Sequence, residues 1–178
     1  LETSVKLLKK DKVCAIFTNR MEYGPRALGA RSILINSRNK EINETVNQRL
    51  DRTEFMPFAP YVMEEYVDEV FKVTKSQRKA LKFMTVTVDT KEEWKDKIQA
   101  TVHVDGTARP QTINKSQNKF YYEILELFYK ETGIPCLVNT SFNAHEEPII
   151  NKPSEAFKAL VDNRVDYLIF ENMILVKE

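Results

Sequence analysis

Apolar positions recur along this chain with two periods, and they place most of its elements. Residues 1–12 keep a helical rhythm with a basic end, and the apolar run 13–17 reads as a short buried strand. A second such strand is expected at 32–35. The connection between them runs to about fourteen residues, long for a plain loop and therefore a place to look for function. Ile42, Val46 and Leu50 fall four apart and predict a helix over 39–50 with one apolar face. Pro57 and Pro60 forbid helix around Phe58, so 53–62 reads as extended and leads into a strand at 58–63. Short helices are expected at 64–71 and 76–82.

The second half alternates more sharply. FMTVTV, at 83–88, interleaves apolar residues with threonine and is the clearest strand by pattern. A helical turn or loop closed by Trp94 is expected at 91–98, and a strand at 101–104. The best helix covers 118–132, where Phe120, Ile124, Leu127 and Phe128 share a face and Gly133 stands where a cap belongs. An apolar strand at 135–139 breaks into the polar TSFN. A helix at 153–162 begins on proline, and strands at 167–170 and 174–176 close the chain as a hairpin-like pair. This density of interleaved strands and helices predicts an α/β domain, a twisted mixed sheet with flanking helices, over residues 1–178.

Composition narrows the class. With 42% hydrophobic and 30% charged residues, disorder is excluded as the main state. Cys14 and Cys136 have no metal-like or redox spacing and read as buried, reduced thiols. No run approaches a membrane span and no signal peptide is seen, so a cytoplasmic, membrane-free protein is expected. The chain starts at Leu1 already in helical rhythm, which reads as a fragment of a longer protein. Net charge is only +1, yet it is +4 over residues 1–60 and −3 over the rest, and six of nine arginines lie between Arg20 and Arg52. A local excess of this size suits a focused anion pocket. It does not suit nucleic acid, which needs a basic stripe with interleaved aromatics.

The candidate chemistry follows the arginines. GPRALGAR, at 24–31, takes two of the chain's four glycines together with a proline and two arginines. Glycine permits positive φ and close approach, and the guanidinium fork suits phosphate. Arg26, Arg31, Arg52 and Arg109 all stand in or beside loops, and together they would make a phosphate pocket. The alternative is that each pairs with a nearby acid such as Glu22, Asp51 or Asp105. NTSFN, with Asn139, Ser141 and Asn143, is either a set of short hydrogen-bonding groups at a strand end or a polar turn. HVDGT, with His103 and Asp105 beside Gly106, is open in the same way between ligand contact and bracing of the loop, and the residues alone favour a core or edge-strand histidine. His103 and His145 lie too far apart in sequence to form a short-spaced metal pair, and neither GxxxxGKS nor GxGxxG occurs.

GPRALGARSIL, the FxPFAP of 55–60, HVDGTARPQT and the run 133–149 with NTSFN and EP occur in that order. Together they resemble the C-terminal, YrdC-like domain of the nodulation-type O-carbamoyltransferases. The resemblance implies a twisted mixed α/β fold following an actin-like (Kae1-like) N-terminal domain that holds iron. It implies ATP and carbamoyl phosphate as ligands, with magnesium accompanying the nucleotide, and carbamoyl adenylate as product. The carbamoyl group then passes to the hydroxyl of a small-molecule acceptor. By resemblance, Arg26, Arg31 and Arg109 line the adenylate and phosphate site with Ser141 and Asn143. Taken with the reading of the residues, Arg26, Arg52 and Arg109 become the expected catalytic cations, and Gly24, His103, Asp105 and Asn139 complete the expected binding set. Leu50 and Met56 stand where the family often carries cations, with Arg49 a neighbouring substitute, and Glu146 replaces a common glycine. A nucleotide-binding domain without chemistry and an RNA-binding module are the competing readings.

Overall fold

The computed structural model describes residues 1–52 and 58–177. The expectations on Met56 and on the extended start at 53–57 lie outside the described residues. The strands are β1 (Cys14–Phe17), β2 (Arg31–Asn36), β3 (Ala59–Met63), β4 (Val88–Asp89), β5 (Thr107–Ala108), β6 (Gln111–Ile113), β7 (Cys136–Ser141), β8 (Tyr167–Ile169) and β9 (Ile174–Val176). The helices are α1 (Glu2–Lys9), α2 (Ile42–Arg49), α3 (Val67–Val70), α4 (Arg78–Leu81), α5 (Glu92–Lys95), α6 (Lys119–Thr132) and α7 (Pro153–Val161).

Seven strands form one sheet in the order β6-β3-β7-β2-β1-β8-β9, and β4 and β5 make a separate pair. The sheet is mixed: β3–β6 and β1–β8 are parallel, and the other pairs are antiparallel. Its central strands are buried on both faces, which is why β1 and β2 read as continuous apolar runs. Alternate residues feed two cores. Cys14, Ile16 and Leu34 join the cluster that holds Leu8 of α1 and Ile124 and Phe128 of α6. Ala15, Ile33 and Ile35 join the cluster that holds Val46 of α2 and Leu160 of α7. The result is a three-layer α/β/α domain, with the expected antiparallel pair at its end.

α6 forms where its sequence predicted, but its buried face is Tyr121, Ile124, Leu125 and Phe128, with the expected Phe120 and Leu127 only half-buried. The Asn118 side chain accepts from the Tyr121 N–H at 3.0 Å, and Gly133 ends the helix in the left-handed region at φ 70°. Trp94 is buried on α5. Both cysteines are free and buried; desolvation pushes the Cys136 thiol up to about 12 and raises Cys14 as well, so both stay inert thiols.

Two expected strands are not formed. FMTVTV contributes only its last residue, because its start is used to terminate α4. The Phe83, Met84 and Thr85 amides donate back to carbonyls of Ala80 and Leu81, and Met84 sits at φ 56°. The segment 101–104 is likewise a turn. Thr101 ends a 3-10 helix, and the Gly106 amide donates to the His103 carbonyl. Pairing begins only at Thr107. β6, inside the expected loop after Arg109, escaped a reading based on pattern length.

Register brings one end of the sheet together. Ala59 opposes Asn139, Tyr61 lies beside Gln111, and Ser32 opposes Ser141. The starts of β2, β3 and β6 therefore meet the end of β7.

Candidate functional site

At that end of the sheet lies a cavity of about 160 Å³. Its cationic wall is Arg26, Arg52 and Arg109, three residues more than twenty positions apart in sequence. Asn139, Thr140 and Ser141 from β7 face them, with Gln111 from β6 and the apolar Ala27, Phe58 and Ala59 below. No carboxylate lines the cavity among the described residues. Nor do Arg26 and Arg109 make an ion pair or hydrogen bond among the described residues. Arg109 is shifted below the ordinary guanidinium range, first by burial and then by the like charge of Arg26. Two like charges in one cavity, Arg109 partly desolvated and Arg26 open to solvent, with no acid lining it among the described residues, favour an anion between them.

Arg52 is held more firmly. Its guanidinium donates to Thr140 Oγ1 at 2.9 Å and lies over the Phe58 ring at 5.1 Å. Burial lowers its pKa too.

The segment that delivers Arg26 is fixed from several sides. Glu22 accepts from the amides of Leu28, Ala30 and Arg31 at 2.7, 2.7 and 3.1 Å. The Tyr61 hydroxyl donates to the Leu28 carbonyl, and burial raises its pKa, so it stays a donor. The Ala27 carbonyl accepts from both Gln111 Nε2 and Asn139 Nδ2 at 3.1 Å. Gly29 takes φ 101° against α6, where a Cβ would come within 2.8 Å of Asn118 Nδ2 and 3.0 Å of Tyr121 Cδ2. The backbone path beside Arg26 is thereby over-determined.

Five expected site residues do not join this cavity. Arg31 is 3% exposed and donates to the carbonyls of Thr18, Asn19 and Ala30 while stacking on Phe17 at 3.6 Å. It braces the base of the loop. Gly24 lies out at the loop apex with nothing near its Cα that a side chain would meet. Asn143 turns away and ties the next bend, donating to the carbonyls of Ala144 and Glu147. His103 and Asp105 line a separate, wider groove of about 720 Å³ with Lys40 and Lys95. Asp105 spends its carboxylate on Thr107, whose hydroxyl also meets His103 Nδ1. Burial holds the His103 imidazole below its ordinary range.

The expected acid partners are also engaged elsewhere: Glu22 by backbone amides, Asp105 by Thr107, and Asp51 by Arg164. Arg49 pairs with Asp166 at 2.8 Å and does not reach the cavity. Leu50 is 1% exposed in the core, packed for its apolar bulk. Gln111 and Thr140 were missed; Gln111 opens a strand of only three residues, QTI, too short to show a pattern. No group of three His, Cys, Asp or Glu side chains suited to a metal occurs among the described residues. Nor is any described helix long and apolar enough to cross a membrane.

Comparison with known proteins gives this geometry its setting. The chain is 34% identical over 178 residues to an uncharacterised protein of Methanocaldococcus jannaschii, covering 99% of this chain and 29% of that one. It is 38% identical to nodulation protein NolNO of Sinorhizobium fredii, covering 89% of this chain and 23% of the other. Nodulation protein NolO of Bradyrhizobium diazoefficiens is 39% identical over 84% of this chain and 27% of its own. The chain thus spans less than a third of the length of these relatives. Among solved structures, full-length HypF in its phosphate- and nucleotide-bound form matches with a TM-score of 0.66 at 22% identity, over 99% of this chain and 24% of that one. HypF of T. kodakarensis matches at 0.65 and 19% identity, over 94% and 20%. These two likenesses carry the fold, and they agree with a YrdC-like mixed sheet. The model of the carbamoyltransferase C-terminus family matches residues 5–177, and the chain belongs to that family.

Proposed function

We propose that this domain binds ATP and carbamoyl phosphate and forms carbamoyl adenylate, the activated carbamoyl donor of an O-carbamoyltransferase. The observation that carries the reading is the convergence of Arg26, Arg52 and Arg109 on one cavity with no carboxylate among its described residues. Family membership supplies the carbamoyl group, and the HypF relative of the same fold was solved with phosphate and nucleotide. Net, the step consumes one water and releases phosphate and pyrophosphate. Phosphoryl chemistry of this kind needs positioning and neutralisation more than covalent help. Arg26 and Arg109, which have no internal partner among the described residues, would take phosphoryl oxygens; Arg52, already anchored on Thr140, would fix the cavity's far side. The Ser141 hydroxyl adds a donor. Magnesium finds no carboxylate among the described residues of this wall, so the nucleotide's own phosphates would carry it. Transfer to a small-molecule hydroxyl would fall to an actin-like, iron-holding domain elsewhere in the protein.

Calorimetric titration tests the binding half: ATP should bind the wild type, and Arg109→Ala should weaken it about tenfold or more. Equal affinity would remove Arg109 from the site. Pyrophosphate release by the full-length protein should require carbamoyl phosphate. ATP binding without such release would leave a nucleotide-binding domain that lacks the chemistry.

A further inference from the structure

The cavity wall is rich in donors, yet it keeps one acceptor in reserve. The side chain of Asn139 is 5% exposed, and its Nδ2 donates to the Ala27 carbonyl at 3.1 Å and to Gln111 Oε1 at 2.8 Å. Gln111, 1% exposed, donates its own Nε2 to the same Ala27 carbonyl. Two oxygens facing Nδ2 settle which way the Asn139 amide lies, since the reverse orientation would set oxygen against oxygen. Its Oδ1 is left buried with no donor. Among the described residues lining the cavity, it is the one buried side-chain oxygen or nitrogen without a partner. Native structures rarely retain such an atom unless something else supplies its hydrogen bond.

Resting on the reading above that carbamoyl phosphate enters this cavity, we propose that Asn139 is its specificity-determining residue. Its Oδ1 accepts from the amide N–H of the carbamoyl group, and Gln111 is the positioning residue that holds it to that task. The arginines cannot make this distinction. Guanidinium reads phosphoryl oxygens, which carbamoyl phosphate shares with acetyl phosphate and with inorganic phosphate. What separates carbamoyl from acetyl phosphate is an NH2 in place of a methyl of similar size. An acceptor locked in place binds the first and is stranded by the second, the arrangement that discriminates most strongly between near-isosteres.

The test is a set of titrations of the chain with carbamoyl phosphate, acetyl phosphate and inorganic phosphate, the last reporting whether the arginine cavity survives. The wild type should prefer carbamoyl over acetyl phosphate by about tenfold to a hundredfold. Asn139→Leu, similar in shape, should bring that ratio to within about twofold of one, and Gln111→Leu should lower it part of the way. Damage to the fold alone would weaken all three ligands and leave the ratio standing, which would overturn the proposal. So would equal binding of the two acyl phosphates by the wild type, a comparison that needs no variant. A wild type that binds none of the three would defeat the carbamoyl-phosphate reading itself, and this inference with it.

Discussion

Replacing Gly29 by alanine should damage this domain in a way that can be divided into parts. At φ 101° the residue lies beyond the left-handed helical well that other residues tolerate, so a side chain there costs about 1–3 kcal/mol in backbone strain. The added Cβ would sit 2.8 Å from Asn118 Nδ2 and 3.0 Å from the Tyr121 ring. Asn118 caps α6 through its Oδ1, and Tyr121 is fully buried against Tyr61 with ring centroids 4.8 Å apart. Neither can retreat freely. Displacing the cap costs about 1 kcal/mol and overpacking about 1–3, so a total of about 3–7 kcal/mol is expected. Gly24 is the internal control. It has φ 114° but no atom within 4 Å of its virtual Cβ, and its exposed loop can relax. Gly24→Ala should therefore lose only about 1 kcal/mol. Urea unfolding of both variants measures the difference. Equal losses at the two positions, or a loss below about 1 kcal/mol at Gly29, would refute the packing argument.

Other expectations follow from the same contacts. Arg31→Lys removes the planar fork that serves three carbonyls and should lower stability by about 2 kcal/mol in denaturant titration, with less effect on ATP affinity than Arg109→Ala. Leu50→Lys should not restore a missing cation; it would bury an ammonium in the core at a loss of about 3 kcal/mol or more, and an unchanged melting temperature would contradict this. His103 has a folded-state pKa below its unfolded one, so its contribution to stability is full above about pH 6.5 and is lost as pH falls from there through the folded value. His103→Gln should flatten that part of the curve of urea midpoint against pH, and an unaltered curve would remove His103 as its source.

The residues that reach the cavity show what a sequence can and cannot disclose. Arg26, Arg109 and Ser141 were readable because each stands in a loop or strand end beside glycine, proline or other short polar groups, and register then brought those places together. Arg31 and Asn143 carried the same credentials. Their side chains instead satisfy nearby carbonyls, and which of these two uses a polar group serves depends on local geometry that spacing does not encode. The elements divide likewise. β1 and the apolar middle of β2, Ile33 to Ile35, were legible because strands buried on both faces carry continuous apolar residues. FMTVTV had the alternation of a strand, but the preceding helix needed its amides for a cap first, and tertiary pairing was available only from Val88.

The double grip on the Ala27 carbonyl has a kinetic side. Its donors lie 84 and 112 residues away along the chain, so the cavity closes two very long loops before any part of it exists. Helices such as α6 can form early from local contacts alone. The cavity can form only when β6 and β7 have found their places beside β3. A ligand that recognises the finished cavity has nothing to hold in the transition state for folding if these contacts come last. It should then slow unfolding and leave the refolding rate untouched, so stopped-flow traces with and without ATP would reveal when, during folding, the domain becomes able to bind.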